Sequence, residues 1–159
     1  NFPYFLFCPF NTYGRKNSNH FVIESVITKM LKDKDKIHVG DLKPIRDFVY
    51  IDDVMKAYDV VINGTENAFT GAEYINTNTK MNVCTGRGIS IMELVGLIAE
   101  QLDWHGEIIA KSTYQRPTEI PVLIGNNGYA DMTWGWRPET ELEDGIKATI
   151  NYWREKYNE

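Results

Sequence analysis

HVGDLKPIRDFVYIDDVMKAYDVVIN, residues 38–63, passes from a short β-prone segment through a Gly-Asp turn into a strand and then a helix. Arg46 to Ile51 alternates polar and apolar residues, which predicts one half-buried strand. Asp52 or Asp53 then serves as a helix cap. Val54, Ala57, Tyr58, Val61 and Ile62 follow at spacings of three and four and form one apolar stripe. Arg46 is the unusual member, a fixed cation at the start of a strand directly after a Pro-containing turn. Its planar fork donates two hydrogen bonds at once, which suits an anionic group such as a phosphate.

Outward from this unit the pattern stays the same. Before it, Tyr4 to Phe10 is continuously apolar and reads as a strand buried on both faces. It ends at Asn11-Thr12-Tyr13-Gly14, and a helix is predicted from His20 to Leu31. After it, Gly64 to Thr70 is turn-rich, Glu73 to Asn76 reads as a strand and Asn76 to Lys80 as a polar loop. Ser90, with Glu93 three residues on, writes a capping box at the start of a helix over 91–102. Glu107 to Lys111 reads as a strand, Ile120 to Ile124 as an extended segment, Tyr129 to Trp134 as a helical turn and Glu141 to Tyr157 as a closing amphipathic helix. Such alternation predicts an α/β fold: a small, mostly parallel sheet with flanking helices.

Composition sets the bounds. A chain of 159 residues, 43% hydrophobic, fits one domain over 1–159 that buries about two thirds of its unfolded surface. The net charge is −5, and the lysines at 29, 32, 34 and 36 are interleaved with Asp33 and Asp35. That dispersal argues against nucleic acid and anionic membranes as partners, since both need a clustered basic face. The run reads as a solvated helix end and loop. Cys8 and Cys84 sit apart in apolar runs and read as two lone buried thiols of a reducing, cytoplasmic compartment. No run reaches membrane-spanning length, and Phe2 to Phe10 lacks the basic leader of a signal peptide. A chain that begins on an apolar strand is expected to have lost, or to be encoded apart from, a preceding partner.

Candidate chemistry is sparse. His20, His38 and His105 are scattered, and no metal-ligand spacing or serine-hydrolase elbow is present. Gly86-Arg87-Gly88 opens like a dinucleotide loop, but the third glycine position is Ile91, so a tight strand-to-helix turn is the better reading. Trp134, Trp136 and Trp153 with Tyr152 read as core packing rather than a stacking surface. Asn63-Gly64-Thr65 has the letters of a glycosylation acceptor and reads as a turn. Asn11 stands just past the first strand, where open α/β sheets bind ligands, and its amide both donates and accepts. The alternative for Asn11 is a turn-forming residue. For Arg46 and Arg116 it is a salt bridge to Asp47, Asp52 or Glu119.

GDLKPIRDFVYIDDVMKAY resembles the G-x-x-x-x-x-RDF-[VIT]-[YH]-V-x-D-x-x-x-A segment of the extended short-chain dehydrogenase/reductases that act on nucleotide sugars, the epimerase and dehydratase family. FNTYG at 10–14, NVCTGRGISIMELV at 82–95, and RPTEIPVLIGNN at 116–127 with WGWRPETELEDGI at 134–146 agree in the family's order. Together they cover nearly the whole chain but only the family's second half. The resemblance implies a substrate-binding role for Asn11, Arg46, Asn82, Arg116, Val39 and Glu119. Asn11 lies near the phosphates, the two arginines at the phosphates and ribose, Asn82 close to the nucleotide, and the stretches Ile37 to Val39 and His20 to Ile23 at the base. Cys8 departs from the pattern, which usually has arginine there.

The family passes hydride through NAD(P) held by a GxxGxxG loop and uses a YxxxK pair as base. The glycine loop is absent here. Tyr13-Gly14-Arg15-Lys16 places its lysine one residue early, and Tyr152 to Lys156 carries the letters only on the closing helix, as a surface pair. The expectation is the sugar-nucleotide-binding portion of such an enzyme, binding no cofactor alone. Its expected partners are a nucleotide sugar, an NAD-binding half and further copies of itself. The alternatives are a non-catalytic binding module and an interaction domain without a ligand.

Overall fold

The computed structural model describes residues 5–16, 18–63, 79–110 and 120–158. Strands and helices alternate as β1 (Phe5–Pro9), β2 (Asn11–Tyr13), α1 (Val22–Lys32), β3 (Lys36–Val39), β4 (Ile45–Arg46), β5 (Phe48–Tyr50), α2 (Ile51–Asn63), β6 (Thr79–Val83), β7 (Ile89–Ser90), α3 (Ile91–Leu102), β8 (Glu107–Ala110), β9 (Val122–Leu123), α4 (Gly128–Trp134) and α5 (Leu142–Asn158). The pairs β1–β6, β2–β5 and β3–β8 are parallel, and β4 lies between antiparallel β7 and parallel β9. The α/β class with small, mostly parallel sheets is therefore what the sequence predicts.

Two apolar cores meet at β5. Phe48 and Tyr50 belong to a core built with α1, α3 and α5, including Ile27, Met30, Leu94, Ile98, Ile146 and Trp153. Val49 points the other way, into a core of Val54, Ala57, Met81, Val83, Ala130, Trp134 and Trp136. This corrects the sequence expectation of one half-buried strand over Arg46–Ile51. The chain forms β4 and β5 with Asp47 between them, and all three residues of β5 are buried because both of its faces are packed. The tryptophans are core residues, as their spacing implied.

β1 departs in the opposite sense. It is half-buried, with Leu6 48% exposed. Phe7 stacks on Tyr58 at 4.1 Å and Phe5 meets the edge of Trp134 at 5.5 Å, so the Phe5/Phe7 face is the packed one and Leu6 points away from it. Neither Asp52 nor Asp53 acts as the expected cap, because α2 already starts at Ile51. Asp52 pairs with Arg15 at 2.7 Å. Asp53 is fully buried, and its carboxylate accepts the Thr140 N–H at 2.9 Å while its carbonyl accepts the Trp136 indole N–H at 3.0 Å. α1 begins at Val22, two residues later than predicted, with Phe21 at its N-cap. Thr79 and Lys80, expected in a loop, belong to β6. The predicted strand at Glu73–Asn76 and the turn after Asn63 lie outside the described residues.

The remaining details follow the sequence. Lys29 and Lys32 occupy the exposed last turn of α1. Both cysteines are free; Cys84 is buried as expected, whereas Cys8 is only half-buried because β1 itself is half-buried. Burial, with the nearby Asp47 charge second, pushes the Cys84 thiol up to about 11. Among the described residues no helix is long and apolar enough to cross a membrane.

The capping box of α3 forms as written. Ser90 Oγ accepts the Glu93 N–H at 3.1 Å, and the Glu93 carboxylate accepts the Ser90 N–H at 3.0 Å and its hydroxyl at 2.6 Å. Ser90→Ala is expected to cost about 1 kcal/mol in urea unfolding. The Ser90 hydrogen bonds hold the Glu93 carboxyl below its ordinary range. A carboxyl depressed on folding stabilises above its unfolded pKa, and that stabilisation is lost as pH falls through the lower folded value. The gap in melting temperature between wild type and Glu93→Gln should therefore narrow on acidification and vanish below the folded pKa.

Candidate functional site

Asp47, between β4 and β5, is fully buried and its carboxylate is a hub for loop amides. Oδ1 accepts the Thr85 N–H at 2.9 Å and the Thr85 hydroxyl at 2.6 Å, while Oδ2 accepts the N–H of Gly86 at 2.9 Å and of Gly125 at 3.2 Å. Gly86 holds φ at +77°, a backbone state that glycine reaches without strain. The Asp47 main chain is equally engaged. Its carbonyl accepts both the backbone N–H of Asn11 at 3.2 Å and the Asn11 side-chain amide at 2.9 Å, and its N–H donates to Leu123 at 3.1 Å. One residue thus ties β2, the turn after β6 and the segment after β9 together.

This arrangement decides the role of the Gly86-Arg87-Gly88 turn. The Thr85 and Gly86 N–H groups that a phosphate would need point at Asp47. The residues present do not form a dinucleotide cradle there.

Beside the hub lies a cleft of about 490 Å³ whose walls include Asn11, Arg46, Val39, Gly40, Phe48, Lys29, His20 and Asp41. Three of the residues singled out from sequence, Asn11, Arg46 and Val39, therefore converge although they come from three different strands. Arg46 Nη1 donates to the carbonyl of Ile45 at 2.9 Å. Asn82, at the end of β6, is not among the cleft walls; its amide donates to Asn126 at 3.3 Å. Arg116 and Glu119 lie outside the described residues.

Sequence reasoning missed Lys29 as a wall of the cleft, whereas His20 belongs to the His20–Ile23 stretch expected to face the base. Lys29 Nζ donates to the His38 carbonyl at 2.8 Å, which carries the end of α1 over to β3, and partial burial lowers its pKa. The signal was available: α1 and β3 are joined by a short turn, so the last turn of the helix must lie beside the strand.

The two near-matches to a catalytic Tyr/Lys pair have other roles. The Lys156 ammonium sits 5.7 Å from the Tyr152 ring and 5.0 Å from the Trp153 ring along α5. Tyr13 is buried, and its hydroxyl donates to the Leu142 carbonyl at 3.4 Å. Burial first, then Tyr50 and nearby carboxylates, push this phenol well above its ordinary value, so it stays protonated. No cluster of metal-ligating side chains occurs among the described residues.

The family model for GDP-mannose 4,6 dehydratase matches residues 1–149. A Methanocaldococcus jannaschii protein named as a UDP-glucose 4-epimerase is 33% identical over 89% of this chain and 43% of its own length. GDP-6-deoxy-D-mannose reductase of Pseudomonas aeruginosa is 29% identical over 95% of this chain and 48% of its own. Among solved structures, UDP-glucose 4-epimerase of Thermotoga maritima with UDP-glucose superimposes with a TM-score of 0.82 at 26% identity, covering 97% of this chain and 47% of the other. RMD from Pseudomonas aeruginosa complexed with NADPH gives 0.79 at 27% identity, covering 96% and 48%. The chain spans just under half the length of these relatives.

Removing the hub should be severe. Asp47→Ala leaves the N–H groups of Thr85, Gly86 and Gly125 without their acceptor, at about 1–3 kcal/mol for each one left unsatisfied. A loss of at least about 3 kcal/mol in urea unfolding is expected, and Asp47→Asn should recover only part, because its amide nitrogen meets donors rather than acceptors.

Proposed function

Because the chain belongs to the GDP-mannose 4,6 dehydratase family of NAD-dependent nucleotide-sugar epimerases and dehydratases, we propose that it is the sugar-nucleotide-binding portion of such an enzyme and does not catalyse alone. The observation that carries the reading is the convergence of Arg46, Asn11 and Val39 on one basic cleft. Arg46 and Asn11 receive the diphosphate, Val39 and its neighbours flank the base, and Arg116, Glu119 and Asn82 complete the contacts. NAD(P) belongs to the stretch of the relatives that this chain does not span. The NAD-binding part, or a second copy of the chain, covers the exposed apolar residues Leu6 and Ile120 to Ile124. The proposed compartment is the cytoplasm.

The reading of a chain that is silent alone is supported by Tyr13, whose buried hydroxyl donates to the Leu142 carbonyl, and by the place of Tyr152 and Lys156 on the closing helix. The purified chain with NAD and UDP-glucose or GDP-mannose should show no turnover. Any hydride transfer seen at 340 nm contradicts the proposal.

Binding is tested through Arg46. A charge-assisted contact to a phosphate contributes roughly 1.5–3 kcal/mol, so Arg46→Ala should weaken UDP or GDP binding about ten- to a hundred-fold in calorimetry. Arg46→Lys should recover part, since a point charge lacks the fork. Equal affinities for all three proteins, or no binding by wild type, contradict the phosphate role.

A further inference from the structure

α1 turns one face to the Arg46 cleft. Val22, Ser25, Val26 and Lys29 follow at spacings of three and four and all line it, while Val39 and Gly40 line it from the end of β3. Val26 and Val39 are buried, so this side of the cleft has an apolar floor between helix and strand. Lys29 brings a charge to it. Its ammonium donates to the His38 carbonyl at 2.8 Å, which fixes it beside the residue that precedes Val39.

An ammonium has three donors and no acceptor, and the His38 carbonyl takes one of them. Lys29 makes no ion pair among the described residues. Asp41, an acid on the same cleft wall, is turned to its own loop, where its carboxylate accepts the Lys43 N–H at 3.0 Å. Partial burial lowers the Lys29 pKa, as expected of a cation that has lost part of its water. An acceptor on a ligand would replace that water.

We infer that Lys29 is a specificity-determining residue that reads the nucleobase: its ammonium donates to a ring carbonyl oxygen, so the cleft selects uracil or guanine over cytosine or adenine. This rests on the nucleotide-sugar reading above and deepens it. Lys29 and Val39 belong to the α1–β3 side, whereas Arg46 and Asn11 come from β4 and β2, so base and diphosphate engage different elements. A flat heterocycle suits an apolar floor; a phosphate does not, because valines take away its water and return no donors. Uracil and guanine carry a carbonyl oxygen where cytosine and adenine carry an amino group. An amino group facing the ammonium sets donor against donor and leaves Lys29 desolvated without an acceptor.

The test uses two matched pairs of nucleotides. Wild type, Lys29→Met and Lys29→Arg are titrated by calorimetry with UDP, CDP, GDP and ADP. Methionine keeps an unbranched side chain of similar length without donors, and arginine keeps donors. Within whichever pair binds, wild type should prefer the carbonyl-bearing base about tenfold. Lys29→Met should bring that ratio close to one, and Lys29→Arg should keep most of it. Equal affinities within each pair in wild type overturn the inference, and a preference for CDP or ADP does so by assigning the base edge to an acceptor such as Asp41. A ratio that survives in Lys29→Met, or equal weakening of all four nucleotides by it, also overturns the inference, the latter by making Lys29 a general counter-charge. Each of these results leaves the Arg46 site standing; absence of binding of all four by wild type overturns both. If Lys29→Met does not fold, the wild-type ratio decides alone.

Discussion

The buried Asp47 carboxylate is the constraint on which the rest of the site depends. Four hydrogen bonds fill its two oxygens, all from the turn after β6 and the segment after β9. A charge taken out of water at this depth is tolerable only when its lone pairs are met by well-placed donors. Here three of the donors are backbone amides of loops and the fourth is the Thr85 hydroxyl. The same interaction that satisfies the carboxylate therefore fixes the loops, and neither could be arranged this way without the other.

The cleft inherits its rigidity from that hub. Arg46 precedes Asp47 directly and lies on β4, whose two edges are occupied by β7 and β9. Asn11 is fastened to the Asp47 carbonyl by two hydrogen bonds. The two groups assigned to the diphosphate are thus held relative to each other by one residue's backbone.

A common device recurs at the other buried acids. Asp53 accepts a backbone N–H from the segment leading into α5, and Glu24 accepts one from the turn after β2. Each carboxylate extends from a packed element into a loop and gives it an acceptor. Each also keeps one buried oxygen, Asp53 Oδ1 and Glu24 Oε2, without a hydrogen-bond partner among the described residues.

How much was legible depends on the range of the interaction. The α/β alternation, the capping box at Ser90 and the tryptophan core rest on local periodicity and nearest turns, which the order of residues carries directly. The four motifs identified the family without any coordinates. The burial of β5 on both faces was not legible, because its alternating pattern says nothing of a second core supplied by α4 and β6. The partners of Asp47 lie 38, 39 and 78 residues away along the chain, and in the sequence it looked like a salt-bridge partner for Arg46. The sequence by itself determined which residue types are available and which helices and most strands they form. Only the tertiary structure decided which carboxylates are buried, which amides they hold and which cations share a cleft, because desolvation and hydrogen-bond geometry are set by neighbours that the chain brings together from far apart.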